Sequence, residues 1–191
     1  MNRKVAFFFT VLLIGWGCGN SQGERFPGRR ASVVFDIDGT LTTGEGLVDF
    51  FTPRPDAARA VALYVDKGYL VVYLTTRPSI FRDFTEAWLR ENGFPELPLY
   101  LAEQILLDAD RTVAYKLETL LRLMTDENRM FQYGYGDSTT DFEAYNRAGV
   151  PVPQTFALLR RGQSTCQDGL YGSCLSGYTD HLEYIEDQPN R

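Results

Sequence analysis

The sequence predicts an α/β fold in which a Rossmann-like parallel sheet lies between helices on both faces, giving three layers. Short runs rich in β-branched and aromatic residues alternate with longer runs that place apolar residues at helical spacing. Strands that alternate with helices need crossover connections, which make the strands parallel and cover both faces of the sheet. The chain has 191 residues, which is enough for one domain and short for two.

The first half of the chain supplies two strands and two helices. Ser32–Phe35 is a β-rich run that stops at an aspartate, and Pro55–Lys67 repeats apolar residues at helical spacing and stops at a glycine. Tyr69–Leu74 is a second β-rich run. Ser79–Asn92 shows the helical spacing again, with Ser79 as its predicted N-cap and a glycine after its end.

The second half of the chain continues this order. Leu97–Leu101 is the third predicted strand, and Val113–Met124 is the third helix, with its leucines in register. Met130–Tyr135 is the fourth strand, Asp141–Ala148 is a short helix closed by a glycine, and Thr155–Leu159 is the fifth strand. Ligands of parallel sheets bind beyond the carboxyl ends of the strands, so polar residues at those ends are the candidates for a site.

The first 17 residues have the pattern of a signal peptide. Arg3 and Lys4 precede Val5–Trp16, an apolar run that is too short to span about 30 Å of hydrocarbon comfortably. The alternative is a buried N-terminal helix. Cys18 follows and resembles a bacterial lipoprotein cleavage site, where the thiol receives a lipid anchor; the alternative is cleavage without lipidation. The pattern therefore predicts an exported, periplasmic or cell-envelope protein, held at the membrane as a lipoprotein.

Residues 18–31 are Gly-rich and polar and indicate a tether, so the folded domain is predicted to span residues 32–191. In this domain Cys166 and Cys174 are predicted to form a disulfide, because the thiols of an exported chain tend to bridge. The alternative is two free thiols. A Cys/His metal site is disfavoured, since His181 is the only histidine; we expect it at the surface or at an interface.

The net negative charge of the chain argues against nucleic acid as a partner. The chain has 25 acidic and 19 basic residues, which give a formal net charge of -6. An acidic protein is a poor candidate for nucleic-acid binding, which relies on basic patches. The adjacent Arg160 and Arg161 are predicted to be a solvated pair. We expect a monomer without a nucleic-acid partner.

Two aspartates stand at the end of the first predicted strand, in the motif DxDGT. Asp36 lies where a carboxylate can attack phosphorus and form an aspartyl phosphate. Asp38 lies two residues later, where a second carboxylate can protonate the leaving oxygen and then activate water. The alternative is an Asp-Gly turn with no chemical role.

Four further polar residues lie near the ends of later elements. Thr75 ends the second strand and can donate a hydrogen bond to a phosphoryl oxygen; the alternative is a turn before a proline. Lys116 can neutralise the aspartate and phosphoryl charges, or can be a solvated helix lysine. Asp137 and Asp141 offer oxygen ligands that suit Mg²⁺, although an acid at position 141 also suits a helix N-terminus.

The order DxDGT, strand-end Thr, Lys and GDxxxD resembles the haloacid dehalogenase-like phosphatase superfamily from about residue 32 to 160. Within it, the chain is most similar to the lipin-type phosphatidate phosphatase domain and its relatives in phosphatidylinositol-transfer proteins. The similar strings are VVFDIDGTLT, YLTTRP and DFEAYNRAGVP. Lipin relatives tend to carry Asn where this chain has Asp137, so the fourth motif is closer to the general superfamily.

The resemblance implies a role for each motif residue and an aspartyl-phosphate mechanism with Mg²⁺ as cofactor. Asp36 would be the nucleophile and a metal ligand, and Asp38 would be the acid/base and would offer its carbonyl to the metal. The other implied metal ligands are Asp137 and Asp141. The implied phosphate-binding residues are Gly39, Thr40, Thr75 and Lys116.

The intervals between the motifs predict an uncovered site. Asp38 to Thr75 spans 37 residues and Thr75 to Lys116 spans 41, and neither interval holds a separate cap domain. An open site suits a bulky phosphomonoester, such as the membrane lipid phosphatidate. The alternative is a module that binds phosphatidic acid or another phosphate ligand without turnover, as some lipin-type relatives do. Because Asp38 is present, the sequence favours the enzyme.

Overall fold

The computed structural model describes residues 28–44, 51–105 and 108–191. The predicted signal peptide (1–17), the candidate lipidation site Cys18 and most of the predicted tether (18–31) lie outside these residues. Across the described ranges, no helix combines the length and the apolar character that crossing a membrane requires.

Six parallel strands form one sheet in the order β3-β2-β1-β4-β5-β6. The strands are β1 Arg30–Phe35, β2 Leu70–Pro78, β3 Leu99–Ala102, β4 Arg129–Gly136, β5 Thr155–Leu158 and β6 Ser173–Leu175. The chain runs outward from β1 to β3, then returns to the other side of β1 for β4. The direction of winding therefore reverses between β1 and β4, the point at which open α/β sheets bind ligands.

Five helices cover the two faces of this sheet, which confirms the predicted three-layer α/β class. The helices are α1 Ala57–Asp66, α2 Arg82–Glu91, α3 Ala109–Asp126, α4 Thr139–Arg147 and α5 Leu182–Glu186. Val33 and Phe35 of β1 lie in the core formed with α1, α2 and α5, whereas Val34 lies in the core formed with α3 and α4. In the described parts of the chain, the connections between strands hold helices and turns and no separate cap domain.

The largest differences from the predicted boundaries lie between β2 and α2 and at the start of α3. β2 continues through Pro78 and is followed by a 3₁₀ turn at Ser79–Phe81, so Ser79 does not cap α2. The helix α3 begins at Ala109, earlier than predicted, because the Asp108 carboxylate accepts a hydrogen bond from the Arg111 amide at 2.8 Å and caps it.

The C-terminal segment holds two elements that the sequence analysis did not predict, β6 and α5. They have three and five residues, too few to show a hydrophobic period. A disulfide joins Cys166 to Cys174 of β6, as expected. The expectation of a surface histidine is wrong, because His181 is buried. Its Nε2 lies 2.9 Å from the Tyr135 hydroxyl, and its ring stacks on Tyr184.

Candidate active site

The predicted site residues converge at the carboxyl ends of β1 and β4. Asp36 follows β1, Asp137 follows β4, and the Asp36 amide donates to the Tyr135 carbonyl at 3.0 Å. Lys116 comes from the middle of α3, and Asp141 comes from the first turn of α4. All four polar side chains are buried. The fold therefore brings motifs that are a hundred residues apart into one charged cluster.

Lys116 bridges two carboxylates of this cluster. Its Nζ donates to Asp36 Oδ1 at 2.6 Å and also donates to Asp141 Oδ1. The Lys116 side chain is 3% exposed, so it is not the solvated helix lysine of the alternative interpretation. Burial raises the pKa of Asp36 well above its usual value, and Lys116 opposes this effect. Burial alone would lower the pKa of Lys116, but Asp141 and Asp36 raise it above its ordinary value.

Asp141 holds the turn between β4 and α4. Its Oδ2 accepts hydrogen bonds from the Ser138 hydroxyl at 2.7 Å, the Ser138 amide at 3.1 Å and the Asp137 amide at 3.2 Å. With Ser138 as the N-cap, these bonds complete a capping box. Asp141 therefore serves the helix N-terminus and the charged cluster at once, one carboxylate oxygen for each.

Three carboxylates lie close enough together to share a cation. One oxygen from each of Asp36, Asp137 and Asp141 lies within 4.8 Å of the others. Hard oxygen ligands are the ones that Mg²⁺ prefers, so this donor set fits the metal that the sequence predicts. Burial and the neighbouring Asp141 together raise the pKa of Asp137 to about 7, although Arg160 opposes both effects. Carboxylates at this spacing repel one another, which a bound cation would relieve.

Arg160 is a site residue that the sequence analysis misjudged. It was expected to be solvated, but its Nε donates to Asp137 Oδ2 at 2.6 Å and its side chain is 20% exposed. Arg160 follows the end of β5, so it reaches the same sheet edge as the aspartates. That position after a strand was the signal that could have identified it.

Asp38 is held by Thr75 and by Arg77, which the sequence analysis missed. Arg77 Nη2 lies 2.6 Å from Asp38 Oδ1, and Arg77 Nε lies 3.0 Å from Asp38 Oδ2. The Thr75 hydroxyl donates to Asp38 Oδ2 at 3.2 Å. Arg77 is buried and also donates to Thr85 of α2 at 3.3 Å. Thr75 is thus brought to the site, although its contact here is with Asp38.

The turn after Asp38 packs tightly against the metal-ligand candidates. Gly39 has a φ of +75°, and a Cβ at this position would collide with the Asp137 carboxylate, so only glycine fits. The Gly39 amide donates to the Thr42 hydroxyl at 2.9 Å. Thr40 is fully buried, and its hydroxyl has no hydrogen-bond partner within the described ranges. Phosphate binding by Gly39 and Thr40 stays a prediction.

Arg54 fastens this turn to the rest of the domain and is a second residue that the sequence analysis missed. Its buried guanidinium donates to the carbonyl of Gly39 at 2.7 Å, of Thr42 at 3.0 Å, of Leu159 at 2.7 Å and of Ser176 at 3.4 Å. Within the part of the chain that the structure describes, its hydrogen-bond acceptors are carbonyl oxygens. These bonds tie the turn after β1 to the ends of β5 and β6.

Two clefts of opposite character flank the charged cluster. We call the first the apolar cleft; it has a volume of about 560 Å³ and is lined by Asp38, Phe51, Thr76, Arg77, Pro78, Phe81 and Phe84. We call the second the arginine cleft; it has a volume of about 390 Å³, and its lining includes Thr43, Arg54, Arg160, Arg161 and Gln163. Asp38 therefore faces apolar side chains, whereas Asp137 is approached from an arginine-lined side.

Comparison with known families relates this arrangement to a lipid-transfer group. Residues 33–159 match the family described as PITM 1-3, LNS2 domain. Human membrane-associated phosphatidylinositol transfer protein 3 is 28% identical over 173 residues, which cover 88% of this chain and 17% of that protein. Rat membrane-associated phosphatidylinositol transfer protein 1 is 30% identical over 159 residues, which cover 81% of this chain and 12% of that protein. The chain thus spans less than a fifth of the length of these relatives.

Solved structures share the fold at low sequence identity. Phosphoserine phosphatase in its apo form has a TM-score of 0.56 and 15% identity, over 82% of this chain and 99% of that chain. The D,D-heptose 1,7-bisphosphate phosphatase of B. bronchiseptica, complexed with magnesium and phosphate, has a TM-score of 0.54 and 17% identity, over 82% of this chain and 97% of that chain. At these identities the comparison establishes the fold.

One prediction about location is wrong. The N-terminal pattern indicated an exported, periplasmic or cell-envelope lipoprotein. The relatives that match this chain are instead membrane-associated proteins of human, rat and mouse and the retinal degeneration B protein of Drosophila melanogaster, which are not periplasmic exported lipoproteins. The prediction of location rested on a short apolar run after basic residues, a pattern that is not specific to export.

Proposed function

The chain belongs to the family of PITM 1-3 LNS2 domains, a lipin-like branch of the haloacid dehalogenase-like phosphatases, and on this premise we propose that it is a magnesium-dependent phosphohydrolase. It would act on an accessible phosphomonoester through an aspartyl-phosphate intermediate. The observation that carries this proposal is the burial of Lys116 between Asp36 and Asp141 at the end of β1. A buried lysine that bridges two carboxylates is costly for stability alone and is typical of a site that handles charge.

The covalent step would use Asp36. One carboxylate oxygen forms a bond to phosphorus while the bond from phosphorus to the leaving oxygen breaks. Lys116 holds Asp36 in position and offsets the charge of the transferring group. Water then attacks the aspartyl phosphate, which releases phosphate and restores Asp36. When bound by Asp36, Asp137 and Asp141 and by the Asp38 carbonyl, Mg²⁺ would supply further charge neutralisation at the phosphoryl oxygens.

Asp38 would give a proton to the leaving oxygen and then take one from the attacking water. Both of its carboxylate oxygens accept hydrogen bonds from Arg77. These hydrogen bonds compete with the leaving group and with water for the Asp38 oxygens, so we expect Arg77 to turn away during turnover. We infer that the phosphoryl group itself draws Arg77 away, since an arginine fork binds phosphate as well as it binds a carboxylate.

The same pair supports a second candidate function. If Arg77 stays on Asp38, the site would bind a phosphate group without releasing it. The chain would then be a module that binds phosphatidic acid or another phosphate ligand, as the sequence alternative proposes. The enzyme remains the first candidate because Asp36, Asp38 and Lys116 are all in place.

The apolar cleft supports a lipid phosphate as the substrate. Asp38 lines this cleft, so the leaving group that it would protonate lies against Phe51, Phe81 and Phe84. Phe81 and Phe84 are 52% and 49% exposed, and the neighbouring Ile80 is 85% exposed. Large apolar side chains at the mouth of a polar site suit a membrane-bound amphiphile. Phosphatidate, a phosphomonoester with two acyl chains, has this chemistry.

The extent of the unit and its oligomeric state also remain proposals. We propose that residues 32–191 form the phosphatase domain, because β6 and α5 lie beyond the family match and complete the sheet and one core. We propose that this domain acts as a monomer.

The test is phosphate release by the full chain from phosphatidate in detergent micelles and from glycerol 3-phosphate. Release that needs Mg²⁺, stops with EDTA and is lost in Asp36→Asn supports the enzyme. Release that is equal in all three conditions overturns the mechanism. Binding of phosphatidate vesicles without any release would favour the binding module. A preference for glycerol 3-phosphate would exclude the lipid as the substrate.

A further inference from the structure

We propose that the arginine cleft is a subsite for a second anionic group on the substrate, distinct from the phosphoryl group that Asp36 attacks. This inference rests on the proposed function for the position of the scissile phosphate. The ligand class is a phosphate ester with a second phosphate or carboxylate, one group at the charged cluster and the other in the arginine cleft. Phosphatidate, with its single phosphate, would leave the arginine cleft unfilled.

The arginine cleft begins at the charged cluster. Arg160, which lines the cleft, donates to the metal-ligand candidate Asp137 at 2.6 Å. Arg54, also in the lining, donates to the Gly39 carbonyl, and Gly39 itself lies against Asp137. The arginine cleft therefore borders the charged cluster through Arg160 and Arg54.

The described lining of this cleft is cationic. It contains three arginines and no aspartate or glutamate. Among the described residues, the hydrogen-bond acceptors of the buried Arg54 are carbonyl oxygens, and Asp137 is the carboxylate that acts on its charge. Arg161, the third arginine of the lining, is exposed. A concave surface with charge of one sign and low-dielectric walls concentrates ligands of the opposite charge.

A hydroxyl in the lining lacks a partner. Thr43 Oγ1 is inaccessible to solvent and has no hydrogen-bond partner among the residues that the structure describes. A buried polar group without a partner costs about 1–3 kcal/mol, so such groups in folded proteins usually mark a water, ion or ligand. Gln163, on the turn that follows Arg160 and Arg161, adds an amide that can donate to an anion.

The apolar cleft and the arginine cleft differ in the chemistry of their linings, and this difference would orient the ligand. Phe51, Phe81 and Phe84 line the cleft beside Asp38, and Arg77, the one cation of its described lining, is paired with Asp38. The arginine cleft offers more cationic groups, so we expect a second anionic group to bind there. The two clefts together select a molecule that is apolar at one end and carries two anionic groups at the other.

The test compares the binding of two probes that cannot be hydrolysed, pentane-1,5-bisphosphonate and pentylphosphonate, to the full chain at one free Mg²⁺ concentration. Calorimetry gives both dissociation constants. The shorter propane-1,3-bisphosphonate tests the distance between the two anionic groups that the protein binds. We expect the bisphosphonate to bind about tenfold more tightly, as one more charge-assisted contact implies. In Arg161→Gln this ratio should fall toward one. In Arg90→Gln, a matched charge loss on an exposed part of α2, the ratio should stay as in the wild type.

Equal binding of the bisphosphonates and the monophosphonate would overturn the subsite. A preference that Arg161→Gln and Gln163→Ala leave unchanged would overturn it as well. Because the probes have P–C bonds, the measurement needs no turnover. A chain that prefers the bisphosphonate but releases no phosphate from any ester would refute the phosphohydrolase and leave the subsite standing.

Discussion

Arg77 grips Asp38 with two nitrogens, Nη2 at 2.6 Å from Oδ1 and Nε at 3.0 Å from Oδ2, and the same guanidinium reaches Thr85 of α2. The pair joins the end of β2 to the turn after β1. It holds Asp38, the proposed acid/base, in one orientation. Arg77 is also the only buried cation among the described residues that line the apolar cleft.

Arg77→Lys should therefore lower kcat/KM by about tenfold to a hundredfold, because lysine replaces a two-pronged contact by a point charge. Separate kcat and KM values on phosphatidate micelles give the measurement. The control is Arg82→Lys, which changes an exposed arginine paired with Glu86 in the first turn of α2. Equal kinetics for wild type and Arg77→Lys would contradict a role for the pair in catalysis.

Lys116→Met should lower the free energy of unfolding by about 3–5 kcal/mol, since it leaves buried carboxylates without their cation. Urea unfolding of the metal-free chain measures this loss. The double variant Lys116→Met/Asp141→Asn should recover part of it, because one of the two stranded carboxylates is removed. A single variant as stable as the wild type would show that the bridge is not needed to hold Asp36 and Asp141 together.

Mg²⁺ should raise the thermal midpoint of the chain. Binding to the folded state alone contributes about 2.7 kcal/mol at a hundredfold excess over Kd, which corresponds to about 5–10 °C for a domain of this size. Asp137→Asn should remove most of the shift, whereas Asp126→Asn, at the exposed end of α3, should retain it. A shift of the same size in both variants would place the ion elsewhere.

The pH dependence of stability should carry a contribution from His181. Burial lowers the pKa of His181 from 6.5 to about 4 in the folded chain. Between these values the unfolded state binds the extra proton, so this contribution rises as pH increases from about 4 to 6.5 and is complete above that range. The expected size is about 3 kcal/mol, from about 2.5 pKa units at 1.36 kcal/mol per unit. His181→Gln should lose this part of the curve, measured as the difference between two urea series; parallel curves would contradict it.

Much of the site could be predicted because most of its residues lie in short motifs that follow recognisable strands. Asp36, Asp38, Asp137 and Asp141 follow strands that the β-rich runs identify, and parallel strands bring their carboxyl ends to one edge. Lys116 was harder to place, since nothing local distinguishes it from a surface lysine. The order of the motifs suggested its role. The structure explains that role, because Lys116 forms ion pairs with both Asp36 and Asp141.

The residues that were missed act through tertiary contacts. Arg54 meets Leu159 across more than a hundred positions, and Arg160 meets Asp137 only because β5 pairs with β4. His181 becomes buried only when α5 packs on the core, and the sequence shows a polar residue in a weakly patterned tail. Phe84 of α2 is half exposed and lines the apolar cleft, a position that helical spacing alone does not distinguish from a place in the core.

The central place of β1 has a consequence for how the chain is made. Arg30 of β1 pairs with Arg129 of β4, so one side of the strand waits for a partner that is translated much later. Strands so far apart in the sequence pair slowly, because the entropy of loop closure is lost before the contacts between the strands stabilise the structure. A nascent chain that ends before β4 carries Asp36 but lacks Asp137, Asp141 and half of the hydrogen bonds of β1. The chain can therefore assemble the three carboxylates only after most of the domain has left the ribosome. A shortened chain exposes the unpaired edge of β1, where another chain can pair and aggregate.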